Sequence, residues 1–108
     1  MEFKSNINKI HSDLLANFGD VQIVEKSSLE FGEYFEIRVN EDSKQLLMVI
    51  NKRVLESTNF NWMYYANPNE MTSPVERNSN VSDVIEDVKD IFEKNRFSSE
   101  YLEKLNYI

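Results

Sequence analysis

The chain of 108 residues contains no cysteine. That excludes a disulfide scaffold, a thiolate zinc site and a cysteine nucleophile. It contains one histidine, His11, so any histidine-dependent triad would rest on that side chain alone. Its two glycines, Gly19 and Gly32, stand apart, and neither a P-loop nor a dinucleotide fingerprint can be built from them. Pro68 and Pro74 are the only prolines, so most turns must come from Asn, Asp and Ser. The longest apolar run, Leu46-Leu47-Met48-Val49-Ile50, is five residues, far short of the roughly 20 needed to span a bilayer. No apolar stretch follows Met1-Glu2-Phe3-Lys4, which reads as no secretory signal and makes a cytoplasmic location the expectation. In that setting the sequon Asn80-Val81-Ser82 carries no weight.

What is present is apolar enough to fold. Hydrophobic residues make up 41% and aromatics 12% of a 12.8 kDa chain, which is not the composition of disorder. One domain over residues 1–108 is expected. There are 19 acidic against 12 basic residues, a net charge of −7. The excess is spread along the chain rather than gathered in a tail. A charge of this sign and spread repels phosphate backbones and anionic surfaces, so nucleic acid and membranes are disfavoured as partners.

Phe3, Ile7, Ile10, Leu14, Leu15 and Phe18 recur at helical spacing and predict an N-terminal helix. Ser5 or Asn6 is the expected cap and Gly19 the expected left-handed terminator. Strands are predicted over Val21–Lys26 and at Tyr34–Val39, where Phe35, Ile37 and Val39 alternate with Tyr34, Glu36 and Arg38. After a polar turn at Asn40-Glu41-Asp42-Ser43, a third strand is predicted over Lys44–Leu55, with a bend or bulge at Asn51-Lys52-Arg53. The aromatic segment Phe60–Ala66 predicts a fourth strand. Asn67–Asn80 reads as a long polar loop. Val81, Val84, Ile85, Val88, Ile91 and Phe92 make the apolar stripe of a helix over 81–95, capped by Asn80 or Ser82. Ser98 caps a last short helix with Tyr101, Leu102 and Leu105 inward. The expected fold is therefore α+β: a four-stranded antiparallel meander, one N-terminal helix and two C-terminal helices, in the order α-β-β-β-β-α-α. Ile10, Leu14, Phe18, Phe35, Ile37, Val88 and Phe92 are the expected core.

The third and fourth strands are apolar on both faces. Leu46, Met48 and Ile50 point one way, Leu47 and Val49 the other; Phe60, Trp62 and Tyr64 oppose Met63 and Tyr65. A sheet with one wet face alternates more cleanly. Something should cover the second face: the C-terminal helices lying opposite the first helix, a twin subunit, or a partner protein.

Motifs for chemistry are few. His11 sits at the edge of the helix stripe with no orienting acid, as a boundary histidine would. Glu86, Asp87 and Asp90 share one side of a helix, but a calcium loop needs a turn with alternating ligands and a glycine, which is absent. Lys89 and Lys94 interleave with these acids, as on a solvated face. Phe60, Trp62 and Tyr64 have the spacing for base stacking but lack basic neighbours on their strand. No cofactor or metal is expected.

Together these features point to a small acidic non-enzymatic module that binds another protein as inhibitor, adaptor or chaperone, with homodimerisation as a variant. The candidate contact residues are Tyr34, Leu47, Val49, Trp62, Met63, Tyr65, Glu86, Asp87 and Asp90. Tyr and Trp supply interface area at low entropic cost. Two other readings remain. One is a ligand-binding or enzymatic domain with a pocket between sheet and helices lined by Trp62 and Tyr64. The other is an acidic mimic of nucleic-acid phosphates acting through Glu86, Asp87 and Asp90. In element order and acidity the chain resembles small secretion chaperones, which are acidic α/β dimers, although no helix falls between its third and fourth strands.

Overall fold

The computed structural model describes residues 2–65 and 74–94. Its elements run α1 (Glu2–Asn17), β1 (Asp20–Ser28), β2 (Gly32–Glu41), β3 (Lys44–Asn51), a 3-10 turn (Val54–Glu56), β4 (Phe60–Tyr65), β5 (Val75–Ser79) and α2 (Val81–Glu93). The strands form one antiparallel sheet in chain order, β1-β2-β3-β4-β5. This is the α+β fold expected, with five strands rather than four. The extra strand, β5, lies inside the segment read as a loop. Its sequence Val75-Glu76-Arg77-Asn78-Ser79 is nearly all polar, so it lacks the apolar alternation by which a strand is recognised. The rest of that loop, 67–73, and the last predicted helix lie outside the described residues.

Helix α1 forms because Ile7, Ile10 and Leu14 fall on one face and are buried. It starts earlier than its expected caps. Asn6 sits inside it and donates through Nδ2 to the Leu55 carbonyl at 2.5 Å, tying the helix to the 3-10 turn. Leu15, expected in the stripe, is 48% exposed, because it is one step, about 100°, around from Leu14. Gly19 is not the left-handed terminator expected: Gly32, at φ 73°, is the one glycine in that region among the described residues. The helix ends instead with Phe18 N–H on Leu14 and the Asn17 side chain on the Asp13 carbonyl.

The β2–β3 hairpin turns on two residues, Asp42 and Ser43, at φ 47° and 67°. Two positive φ values match the right-handed strand twist, and Asp tolerates that geometry better than most residues. Strand β3 stops at Asn51, four residues before expected. The Asn51 Oδ1 accepts the Arg53 N–H at 2.8 Å, and Lys52 N–H reaches back to the Glu33 carbonyl at 3.0 Å. A side chain that captures the next backbone donor ends a strand. The polar triplet Asn51-Lys52-Arg53 is thus a terminus, not a bulge.

Asn80 caps α2 through a 2.9 Å bond from Asp83 N–H. Both helices pack on the same sheet face, where Phe18, just past the end of α1, and Phe92 of α2 meet with centroids 5.1 Å apart. The core between them and the sheet comprises Ile10, Leu14, Val88 and Ile91 from the helices and Phe35, Ile37, Leu46, Met48, Ile50, Trp62 and Tyr64 from the strands. Phe92, expected to be buried, is half-buried at its margin. Helix α2 therefore does not cover the second face, contrary to one of the expected coverings.

Candidate functional site

The outer face, turned away from both helices, is built from alternate residues of every strand. Register places Leu47 between Arg38 of β2 and Tyr65 of β4, and Val49 between Glu36 and Met63. Side chains directly opposite on one face have Cβ atoms about 5 Å apart, so these rows are in contact range. Leu47 and Val49 are 1% and 9% exposed and stand apart from the helix-side core. Tyr34, Met63 and Tyr65 are half-buried around them. With Phe31, Ser28, Glu30 and Glu36 they line a cavity of about 220 Å³. The Phe31 ring meets Tyr34 edge-on, 5.2 Å between centroids at 88°, which holds one wall of it.

The β1–β2 half of this face is polar and tightly paired. The Glu36 carboxylate is 8% exposed in its residue. It receives Lys26 Nζ at 2.8 Å and Arg38 Nη2 at 3.1 Å. Burial alone would push this carboxyl up, yet the hydrogen bonds from Lys26 and Arg38 outweigh it and hold Glu36 below the ordinary carboxylate range. The same bond raises Lys26 above its ordinary value. Arg38 continues to Gln45 at 3.4 Å, Gln45 to Asn40 at 2.7 Å, and Asn40 to Asp20 at 3.1 Å. Half of the face is an apolar floor with aromatic walls; the other half is a fixed charge network.

The candidate residues divide between this site and the rest of the molecule. Tyr34, Leu47, Val49, Met63 and Tyr65 come together on the outer face. Trp62 does not: it is 1% exposed on the helix side, with its ring 5.8 Å from Tyr64, itself fully buried. The helix-side space expected to hold a Trp62/Tyr64 pocket is packed core. Trp62 Nε1 donates to Ser79 Oγ at 3.3 Å, and Ser79 in turn donates to Asp87 of α2. Asp90 takes Arg77 Nη2 at 3.3 Å and Lys94 Nζ at 2.9 Å. Asp87 and Asp90 therefore spend their carboxylates docking and bracing α2, and of the acidic row Glu86 is the exposed member. His11 is half-buried. Among the described residues no three potential metal ligands gather, and no helix is long and apolar enough to cross a membrane.

Two features were missed from sequence. The Lys26–Glu36–Arg38 triad joins β1 to β2 and needs the strand register to be seen. The Trp62–Ser79–Asp87 relay needs β5, whose inward residues Arg77 and Ser79 are polar because α2 offers them carboxylates. Arg77, Ser79, Glu76 and Asn78 are all polar, so the sequence carries no signal for this strand. Comparison with known proteins adds no relative: no family model, curated protein or solved structure matches the chain.

Proposed function

We propose that this chain is a non-enzymatic protein-binding module, an inhibitor, adaptor or chaperone, that engages another protein through the outer face of its sheet. The observation that carries the reading is the apolar floor of Leu47 and Val49, walled by Tyr34, Met63 and Tyr65 on the face both helices leave. Half-buried Tyr and Met beside a fixed charge network is the composition of an interface centre with a polar rim. The phosphate-mimic reading loses support because Asp87 and Asp90 are engaged within the fold. A cytoplasmic setting suits a cysteine-free acidic chain.

The test is a nuclease-treated pull-down from the source cell with the tagged full chain, repeated with Met63→Asp and Tyr65→Ala. A stoichiometric protein lost in both variants, with their unfolding midpoints near wild type, supports the reading. A partner that both variants retain, or a clean eluate, overturns it. A thermal-shift screen with metabolites would then take precedence, since a ligand that binds only the folded state raises its stability.

A further inference from the structure

The two edges of the sheet are guarded unequally. Strand β5 has five residues, carries Glu76 and Arg77, and leads directly into α2. Strand β1 has nine residues, contains no proline or glycine, and pairs with β2 in an unbroken register from Asp20↔Asn40 to Ser28↔Gly32. No bulge twists it away. Among the described residues its other side pairs with nothing, so alternate N–H and C=O groups face outward. Charged residues usually protect such an edge, and β1 has Glu25 and Lys26 near its centre. Both are drawn back over the sheet. Lys26 Nζ bonds Glu36 at 2.8 Å on the outer face, and Glu25 receives Lys52 Nζ at 2.9 Å on the helix side. Between them and Gln22, all three exposed, the apolar residue at the middle of the edge is Val24, 51% exposed.

We infer that β1 is a homodimerisation edge, pairing antiparallel with β1 of a second copy about a two-fold axis at Val24, so that two five-stranded sheets become one of ten. The sequence of β1 is compatible with its own copy in that register. Val24 meets Val24, Gln22 meets Lys26, Ile23 meets Glu25, Val21 meets Ser27 and Asp20 meets Ser28. All nine residues pair and no like charges face each other. Sliding by one step on each chain, to centre on Glu25, sets Glu25 against Glu25, which like-charge repulsion disfavours. Centring on Ile23 leaves Ser27 and Ser28 without strand partners. An extended peptide from another protein could use the same backbone groups, but β1 is long enough to oppose its own copy over all nine residues without setting like charges together. The two outer faces lie on one side of such a dimer, which makes it bivalent. The inference does not depend on the outer face binding a partner.

The absence of cysteine makes the test direct. The full chain is examined by sedimentation equilibrium over a range of concentrations. A reversible dimer of twice 12.8 kDa is expected. Gln22→Lys sets two lysines against the Lys26 pair and is expected to weaken the dimer about fivefold, while Gln22→Glu strengthens it by a similar factor. Val24→Cys is expected to cross-link to itself under mild oxidation, because opposed strand residues lie about 5 Å apart between Cα atoms, within disulfide reach. Gln22→Cys and Lys26→Cys are expected to cross-link much more slowly. Far-UV circular dichroism checks that each variant folds. A monomer at every concentration, or equal cross-linking at 22, 24 and 26, would overturn the proposal. Dimerisation indifferent to the sign of the charge at 22 would overturn the register.

Discussion

Within β2, Phe35, Ile37 and Val39 point to the helices while Tyr34, Glu36 and Arg38 point away, and the two sets meet different solutions to burial. On the helix side, α1 and α2 cover most of the apolar residues, and among the polar atoms admitted there Trp62 Nε1 and Ser79 Oγ are paired, while Arg77 Nε is buried without a hydrogen-bond partner among the described residues. On the outer side, apolar Leu47 and Val49 lie beside a carboxylate kept charged by two cations. A buried charge is tolerated only when its oxygens are filled, and Lys26 and Arg38 fill those of Glu36. The outer face keeps charge, aromatic rings and a cavity together.

Substitutions can break this contrast. The largest effect is expected from Trp62→Ala, which empties the inner face: about 3–5 kcal/mol lost in chemical denaturation. Ser79→Ala removes the acceptor for Trp62 and the donor to Asp87, and about 1–3 kcal/mol should go in the same measurement. If Ser79→Ala proved neutral, the relay would not hold α2.

On the outer face the expected losses are smaller and depend on pH. Glu36→Gln should cost about 1–2 kcal/mol at neutral pH. Because folding lowers the Glu36 pKa, its contribution is fully present above the ordinary carboxylate value and is lost as pH falls through its folded one. The gap between wild type and variant, followed by urea midpoints from pH 7 down to pH 3, should therefore close with acid. A gap that stayed constant would mean the ion triad contributes nothing. Tyr65→Ala should cost about 1 kcal/mol of stability or less, yet weaken partner binding at least about tenfold. Equal loss of stability and binding would make Tyr65 a core residue and erase the distinction between the faces. The smallest change expected is a gain: Ser43→Gly relieves a left-handed residue in the β2–β3 turn and should add about 0.5–1 kcal/mol.

Much of the architecture was legible in the chain. Helix α1 followed from Ile7, Ile10 and Leu14, and helix α2 from Val84, Val88 and Ile91, with Asn80 as its cap. Strands β2, β3 and β4 followed from alternation, and so did the sorting of Leu46, Met48 and Ile50 from Leu47 and Val49. Strand β5 was not legible, since an edge strand whose inner residues bond to helix carboxylates has no apolar pattern. Gly19 misled because a helix can end on side-chain and backbone bonds without a left-handed residue. Five of the nine candidate contact residues share a face; Trp62 does not, because strand parity puts it with Phe60 and Tyr64.

Reading the chain alone reveals which residues alternate, where helices are amphipathic, and that cysteines, glycine-rich loops and clustered histidines are absent. These are local properties, carried by spacing along the chain and by composition. Folding in three dimensions is what sets both helices on one face, gives Glu36 Lys26 from one strand and Arg38 from its own, and brings Glu25 of β1 to Lys52. Those outcomes depend on register and on which side each helix packs, and residues far apart in sequence fix them together.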